Sequence, residues 1–222
     1  MRAGILLDLD ETLIDRTASI TRFAAKLWRR HALAECEEDF IAHFLRLDAR
    51  GTTPRPEFFR QLCETHLPME NSRALMEEFL DTVWAEPLLF PYVIDSLQKL
   101  RAAGFMLGIV SNGSTRPQTD KILNSPLHAL VDDWFISEAL GVRKPEPAIF
   151  RHAIEHLRLD MQNSWFIGDC PFADIVGAHG VGLRCVWLSH DRPWPEKYAP
   201  CYTQSARNLA EAVDLIARPS VL

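Results

Sequence analysis

Five short apolar runs, Gly4–Leu9, Phe105–Val110, Trp134–Ile136, Trp165–Ile167 and Leu183–Leu188, are separated after residue 90 by segments of helical periodicity. Short apolar runs alternating with helices predict parallel strands joined by helical crossovers, a doubly wound α/β sheet covered on both faces. The intervening helices are read at about Pro91–Ala103, stopped by Gly104, at Pro117–Leu123, from Pro145 to Leu157, at Phe172–His179 and at Ala206–Ala217. Between the first and second strands the rhythm is different. From Thr17 to about Trp84, apolar residues recur at i, i+3, i+4 and i+7, as in Ile20, Phe23, Ala24, Leu27 and Trp28. Three further sets do the same: Phe40/Ile41/Phe44/Leu45, Phe58/Phe59/Leu62/Cys63 and Leu75/Met76/Phe79/Leu80/Val83. Four amphipathic helices without a strand predict an inserted all-α domain, with the Gly/Pro-rich stretch Ala49–Glu57 as a loop inside it. The expected boundaries are 1–15 with 88–222 for the α/β core and 16–87 for the helical insertion.

The strands end in chemistry. In open α/β sheets ligands sit beyond the carboxyl ends of the strands, near the point where strand order reverses. The first run ends in Asp8 and Asp10, the second in Ser111 and Asn112, the fourth in Gly168-Asp169, and Lys144 lies in a loop after the third. Asp8 and Asp10 are two residues apart, so an extended strand points both the same way. Like charges that close disfavour each other unless a cation or a proton intervenes. Oxygen-only ligation by carboxylates suits Mg²⁺, while a lysine and a hydroxyl beside it suit a phosphate. One carboxylate can then attack phosphorus, and a second, protonated one can give its proton to the leaving alcohol and take one back from water.

These residues resemble the haloacid-dehalogenase superfamily of phosphohydrolases. Asp8-Leu9-Asp10-Glu11-Thr12-Leu13 is similar to its first motif, D-x-D-x-T/V-L. Ser111 after an apolar strand resembles the second motif, Lys144-Pro145 the third, and Gly168-Asp169-Cys170-Pro171-Phe172-Ala173-Asp174 the fourth, G-D-x-x-x-x-D. The resemblance spans Ile5 to about Leu188 and implies a Rossmann-like core with the helical block as a C1-type cap. It implies Asp8 as nucleophile and metal ligand, and Asp10 as general acid/base binding metal through its backbone carbonyl. Ser111 and Asn112 would hold phosphate, Lys144 would neutralise charge on nucleophile and phosphate, Asp169 would bind metal, and Asp174 would bind metal or orient the lysine. Arg50 and Arg55 lie in the cap loop where the family places substrate-selecting residues; solvated arginines are the alternative reading.

Dehalogenases of the superfamily lack an acid at the position of Asp10, because halide leaves without a proton. Phosphonate-cleaving relatives lack it too and use a cap lysine, whereas the one lysine in this helical block is Lys26. The expected activity is therefore Mg²⁺-dependent hydrolysis of a phosphate monoester of a small metabolite: a sugar phosphate, a phosphoacid or a nucleoside monophosphate. Glu11, where glycine is common, is more similar to the branch holding nucleotidases and acyl-sugar phosphatases. A phosphomutase on the same core and a non-catalytic phosphate-binding protein are the rival readings.

Composition narrows the partners. A chain of 222 residues that is 47% hydrophobic and 24% charged has a globular profile, and its formal net charge of −6 argues against a nucleic-acid polymer, which would favour a basic face. No apolar run approaches 18 residues, so no membrane span is expected. Five scattered cysteines without a C-x-x-C pair read as reduced thiols of a cytoplasmic protein; a monomer or a homodimer is expected. His179 and His190 have no ligand spacing, and Trp187, Trp194 and Tyr198 read as packing residues or loop anchors.

Overall fold

The computed structural model describes residues 2–217, which form two compact units: one from 2–14 and 89–217, the other Asp15–Leu88. The first unit is built on a six-stranded, wholly parallel sheet with spatial order β3-β2-β1-β4-β5-β6. Its strands are β1 (Gly4–Leu7), β2 (Met106–Ser111), β3 (Asp133–Ile136), β4 (Trp165–Gly168), β5 (Arg184–Leu188) and β6 (Gln204–Ala206). The chain winds outward from β1 to β3, returns to β4 on the other side of β1, and winds outward again. Strand order therefore reverses at β1, and the crevice above its carboxyl end is where such a sheet takes a ligand. In register, Ile5, Leu6 and Leu7 pair with Leu107, Gly108 and Ile109 on one side and with Trp165, Phe166 and Ile167 on the other. A strand paired on both edges and covered on both faces must be apolar throughout, and Ile5, Leu6 and Leu7 are fully buried.

Helices flank the sheet, numbered after the four of the second unit: α5 (Val93–Ala102), α6 (Thr115–Leu123), α7 (Leu127–Leu130), α8 (Ser137–Leu140), α9 (Pro147–His156), α10 (Gly177–Gly180) and α11 (Leu209–Ala217). The core gathers Leu6, Val110, Phe135, Ile149, Phe150, Phe166 and Ile175, with the Phe150 and Phe166 rings edge-on at 5.3 Å. Burying each such side chain is worth about 1.5–3 kcal/mol. The helix expected at Phe172–His179 begins instead as a wide π-turn over Pro171–Val176, in which the Ile175 N–H reaches back to the Cys170 carbonyl, before α10. The helix expected from Ala206 starts at Leu209, because Gln204–Ala206 pairs with Val186–Leu188 as an edge strand. Three polar or small residues carry no alternating pattern, so only the exposed edge of β5 defines that strand.

The second unit is all-helical: α1 (Arg16–His31), α2 (Glu37–Asp48), α3 (Arg55–His66) and α4 (Ser72–Thr82). The side chain of Asp15 caps α1 by accepting from the Ala18 N–H at 2.8 Å, and Asn71 caps α4. Phenylalanines on the four inner faces interlock, with Phe23–Phe79, Phe44–Phe58 and Phe58–Phe59 centroids 4.9, 4.8 and 4.7 Å apart. The loop expected over Ala49–Glu57 is shorter than its Gly/Pro content suggests. α3 starts at Arg55 with Pro56 in its first turn, where proline's missing N–H costs nothing.

Asp48, 1% exposed, organises that loop. Its carboxylate accepts two hydrogen bonds from Arg16 (2.8 and 2.9 Å), one from Arg55 (2.7 Å) and one from the Gly51 N–H (2.9 Å). Burial alone would raise the Asp48 carboxyl, but Arg16 and then Arg55 outweigh it and hold it below the usual carboxylate range. The Arg55 guanidinium also lies over the Phe58 and Phe79 rings. No helix among the described residues is long and apolar enough to cross a membrane.

Candidate active site

β1 delivers Asp8 to the head of the crevice, and the Asp8 N–H continues the ladder by donating to the Ile167 carbonyl at 2.9 Å. β4 delivers Asp169, and the π-turn that follows folds Asp174 back beneath it. Carboxylate oxygens of Asp8, Asp169 and Asp174, all buried, lie within 4.8 Å of one another. Gly168 makes this possible. A Cβ there would sit 2.5 Å from Asp174 Oδ2 and 2.7 Å from its Cγ, so only glycine lets the carboxylate pack against the strand end. Gly168→Ala is expected to push Asp174 aside. The overpacking should cost about 1–3 kcal/mol and weaken Mn²⁺ binding by roughly 10–100-fold, as loss of metal-site orientation does. Calorimetric titration checks this, and unchanged affinity would contradict it.

Lys144, 3% exposed, lies across the cluster: Nζ is 2.6 Å from Asp8 Oδ1 and 2.7 Å from Asp174 Oδ1. Burial pulls the ammonium toward neutrality, but Asp174 and Asp8 together outweigh it and hold the lysine charged. Burial pushes the Asp8 carboxyl up to about 8; Lys144 opposes the shift, and Asp174 and Asp169 add to it. Asp174 is also pushed up by burial against the pull of Lys144. Three buried carboxylates face two cations, Lys144 between Asp8 and Asp174 and Arg192 at 3.0 Å from Asp169, which leaves one negative charge in excess. Asp174 Oδ1, buried and beside Lys144, accepts no well-directed hydrogen bond. An all-oxygen donor set with spare negative charge and an unfilled acceptor fits a hard divalent cation.

The remaining expected residues divide between this cluster and a second one. Asp10 points to α6: Lys121 Nζ is 2.7 Å from both its oxygens, and Gln118 Nε2 donates to Oδ2 at 3.0 Å. Its carboxylate therefore stands outside the Asp8/Asp169/Asp174 group. Ser111, at the end of β2, accepts from Gln118 Nε2 at 2.6 Å. Asn112, expected to hold phosphate with Ser111, spends its amide elsewhere. Nδ2 donates to the Lys144 carbonyl (2.9 Å) and Oδ1 accepts from the Lys144 N–H (2.8 Å), so the side chain braces the Lys144 loop, whose Lys144-Pro145 peptide is cis. Arg55 likewise departs from a substrate-facing reading, since its guanidinium is held by Asp48. Arg50 is exposed and has left-handed backbone, φ 56°.

Several contributors were not among the expected site residues. Arg192 Nη2 donates to Asp169 at both Oδ2 (3.0 Å) and the backbone carbonyl (3.1 Å). Trp187 Nε1 donates to that same carbonyl at 3.1 Å, so its packing role includes the site. Thr12, inside the first motif, donates to Asp8 Oδ2 at 3.3 Å. The His190 ring stacks near Phe90 and its Nε2 lies 2.7 Å from the Glu11 carbonyl, tying the β5–β6 loop to the turn after β1. Burial raises the Cys170 thiol, away from reactive thiolate.

Glu11 has φ 62°, the left-handed region that glycine enters freely, which explains physically why glycine suits this position. Glu11→Val should cost about 1–3 kcal/mol, the range for a strained residue, and Glu11→Gly clearly less; equal losses in chemical denaturation would contradict this.

Comparison with known proteins identifies the family. Residues 5–188 match the haloacid dehalogenase-like hydrolase family. The chain is 30% identical over 203 residues to a glyceraldehyde 3-phosphate phosphatase of Pyrococcus abyssi, covering 85% of this chain and 82% of that one. It is 28% identical over 231 residues to a phosphoserine phosphatase of Thermus thermophilus, covering 88% and 92%. Among solved structures, the HAD-hydrolase YfnB of Bacillus subtilis, solved bound to magnesium, superposes with a TM-score of 0.78 at 25% identity, covering 98% of this chain and all of that one. The parallel sheet with its acid-tipped strands and the match over most of its length place this enzyme in one family: the chain belongs to the haloacid dehalogenase-like hydrolases.

Proposed function

We propose that the chain is a Mg²⁺-dependent phosphatase that hydrolyses phosphate monoesters of small metabolites through an aspartyl-phosphate, with residues 16–87 as its cap domain. The observation that carries this reading is the separation of roles among the acids. Asp8 shares Lys144 with Asp174, while Asp10, two residues on, is held by a different lysine on a different helix. Asp8, Asp169 and Asp174 are the residues that would hold the cation. When bound, it supplies charge neutralisation for the carboxylates and the phosphoryl oxygens.

The chain's own residues then act in two steps. In the first, an Asp8 oxygen attacks phosphorus, the bond from phosphorus to the ester oxygen breaks, and Asp10 gives its proton to that oxygen so that a neutral alcohol leaves. In the second, water attacks phosphorus, Asp10 takes a proton from it, and the bond to Asp8 breaks to free phosphate, which regenerates the Asp8 carboxylate and the protonated Asp10. Lys144 and Ser111 offset charge on the transferring group. Halide would need no proton, so Asp10 favours an oxygen leaving group.

The names of the relatives support small phosphorylated metabolites, three-carbon esters and phosphoserine among them. The test is phosphate release from a panel including glyceraldehyde 3-phosphate, phosphoserine, phosphoglycolate, sugar phosphates and nucleoside monophosphates, with Mg²⁺ and with EDTA. Metal-dependent release from at least one is expected. Isomerised sugar phosphate without free phosphate would indicate a mutase, and no turnover by folded, Mg²⁺-loaded protein on any of them would overturn the reading.

A further inference from the structure

α6 presents two side chains, one turn apart, to the crevice between the ends of β1 and β2. Lys121 and Gln118 are each 3% exposed, although neither residue type is ordinarily buried without a purpose-built set of partners. Lys121 Nζ contacts both Asp10 oxygens at 2.7 Å and the Gln118 Oε1 at 2.5 Å. With Oε1 facing that ammonium, the Gln118 Nε2 faces acceptors only: Ser111 Oγ at 2.6 Å, Asp10 Oδ2 at 3.0 Å and the Asn112 carbonyl at 3.2 Å. One amide thus joins the acid after β1 to the hydroxyl ending β2, and its orientation is dictated by the lysine. Space for it is set by Gly113, where a Cβ would lie 3.0 Å from the Gln118 side chain. A carboxylate on a turn has two free torsions. Clasped at both oxygens by groups on a rigid helix, it has one orientation.

We propose that Gln118 and Lys121 are positioning residues that fix Asp10 for proton transfer at the leaving oxygen and tie its placement to Ser111. This rests on the phosphatase reading given above and names what makes its proton donor competent. Proton transfer demands hydrogen-bond reach and alignment, and a correctly placed acid contributes about 10²–10⁴-fold. The need for it depends on the leaving group. An alkoxide must be protonated as it departs, whereas p-nitrophenolate leaves without help. Loss of the clasp should therefore discriminate between substrates, which general damage to the fold or to phosphate binding would not do.

The experiment compares wild type with Lys121→Met and with Gln118→Met, which keeps the length of the side chain and removes the amide that joins Asp10 to Ser111. It measures kcat/KM for an alkyl phosphate from the productive panel and for p-nitrophenyl phosphate, both with Mg²⁺. Because kcat/KM reports steps only through phosphoryl transfer, slow hydrolysis of the phosphoenzyme does not enter. Lys121→Met should lose about 100-fold on the alkyl ester and less than about 5-fold on the aryl ester, and Gln118→Met should show the same bias in weaker form. Equal losses on the two esters, or no loss on either, would overturn the proposal. A crystal structure of Lys121→Met decides separately from activity. Asp10 should leave its observed orientation or spread over several, and an unmoved Asp10 carboxylate would overturn the clasp even if wild type hydrolysed no phosphate ester.

Discussion

Asp8→Asn is expected to reduce phosphate release by about 10⁴–10⁶-fold, the scale seen when a covalent nucleophile is removed, while leaving the protein folded. The amide has the shape of the carboxylate but cannot form the phosphoryl ester. Binding of the ground-state ester should survive, because Lys144, Ser111 and the strand-end backbone remain. Stability should not fall, for a reason visible in the site. Asp8 is buried with Asp169 and Asp174 nearby, and burial, opposed by Lys144, raises its carboxyl to about 8 from an ordinary value near 3.8. A group whose folded-state value is raised adds stability that is fully present below the unfolded value and is lost as pH rises through the folded one. Metal-free wild type should therefore lose stability between about pH 4 and pH 8, and Asp8→Asn should lack that slope. Lys144 keeps Asp174 as its counter-ion at 2.7 Å, so the substitution strands no buried ammonium. Quenched-flow phosphate assays and thermal melts in EDTA test both halves. Turnover above a hundredth of wild type would remove Asp8 as nucleophile.

The second large effect is on folding, in the helical unit. Asp48→Ala should cost about 3–5 kcal/mol, as breaking a buried ion pair from one side does, or roughly 6–20 °C in Tm for a chain of this size. Arg16, 7% exposed, would lose both bonds of a bidentate pair, Arg55 would lose the carboxylate that holds it, and the Gly51 N–H would lose its acceptor. Three helix ends are joined through this one side chain: the start of α1, 32 positions away, the end of α2 and the start of α3. The pH dependence has the opposite sign to that of Asp8. Asp48 is held below the usual carboxylate range, so its contribution is present above about pH 4, the ordinary carboxylate value, and lost as pH falls through the depressed one. Wild type should converge on the variant in acid and exceed it at neutrality. A variant that melts with wild type at pH 7 would show the network to be energetically idle.

The layers and the order of the acids were legible in the chain before any contact was known. Alternation of apolar runs and helical stretches identifies a parallel sheet because a strand covered on both faces must be apolar along its length, as Ile5–Leu7 are. Spacing of Ile20, Phe23, Ala24 and Leu27 identifies an inner helix face for the same kind of reason: each is a periodic pattern imposed by local backbone geometry. The strand-end positions of Asp8, Ser111 and Asp169 follow from those patterns, because the residue after an apolar run stands at the strand tip. The tertiary structure alone decided which polar group meets which. Lys121 reaches Asp10 across 111 positions, Arg192 reaches Asp169, and the Asn112 amide closes on the Lys144 backbone instead of facing the crevice. Gly168 is needed because of where Asp174 returns. Such contacts leave no period in the chain, since they depend on the distance and direction between elements already folded. Local hydrophobic rhythm can announce a strand and its end, but the partner of a buried charge is chosen by packing.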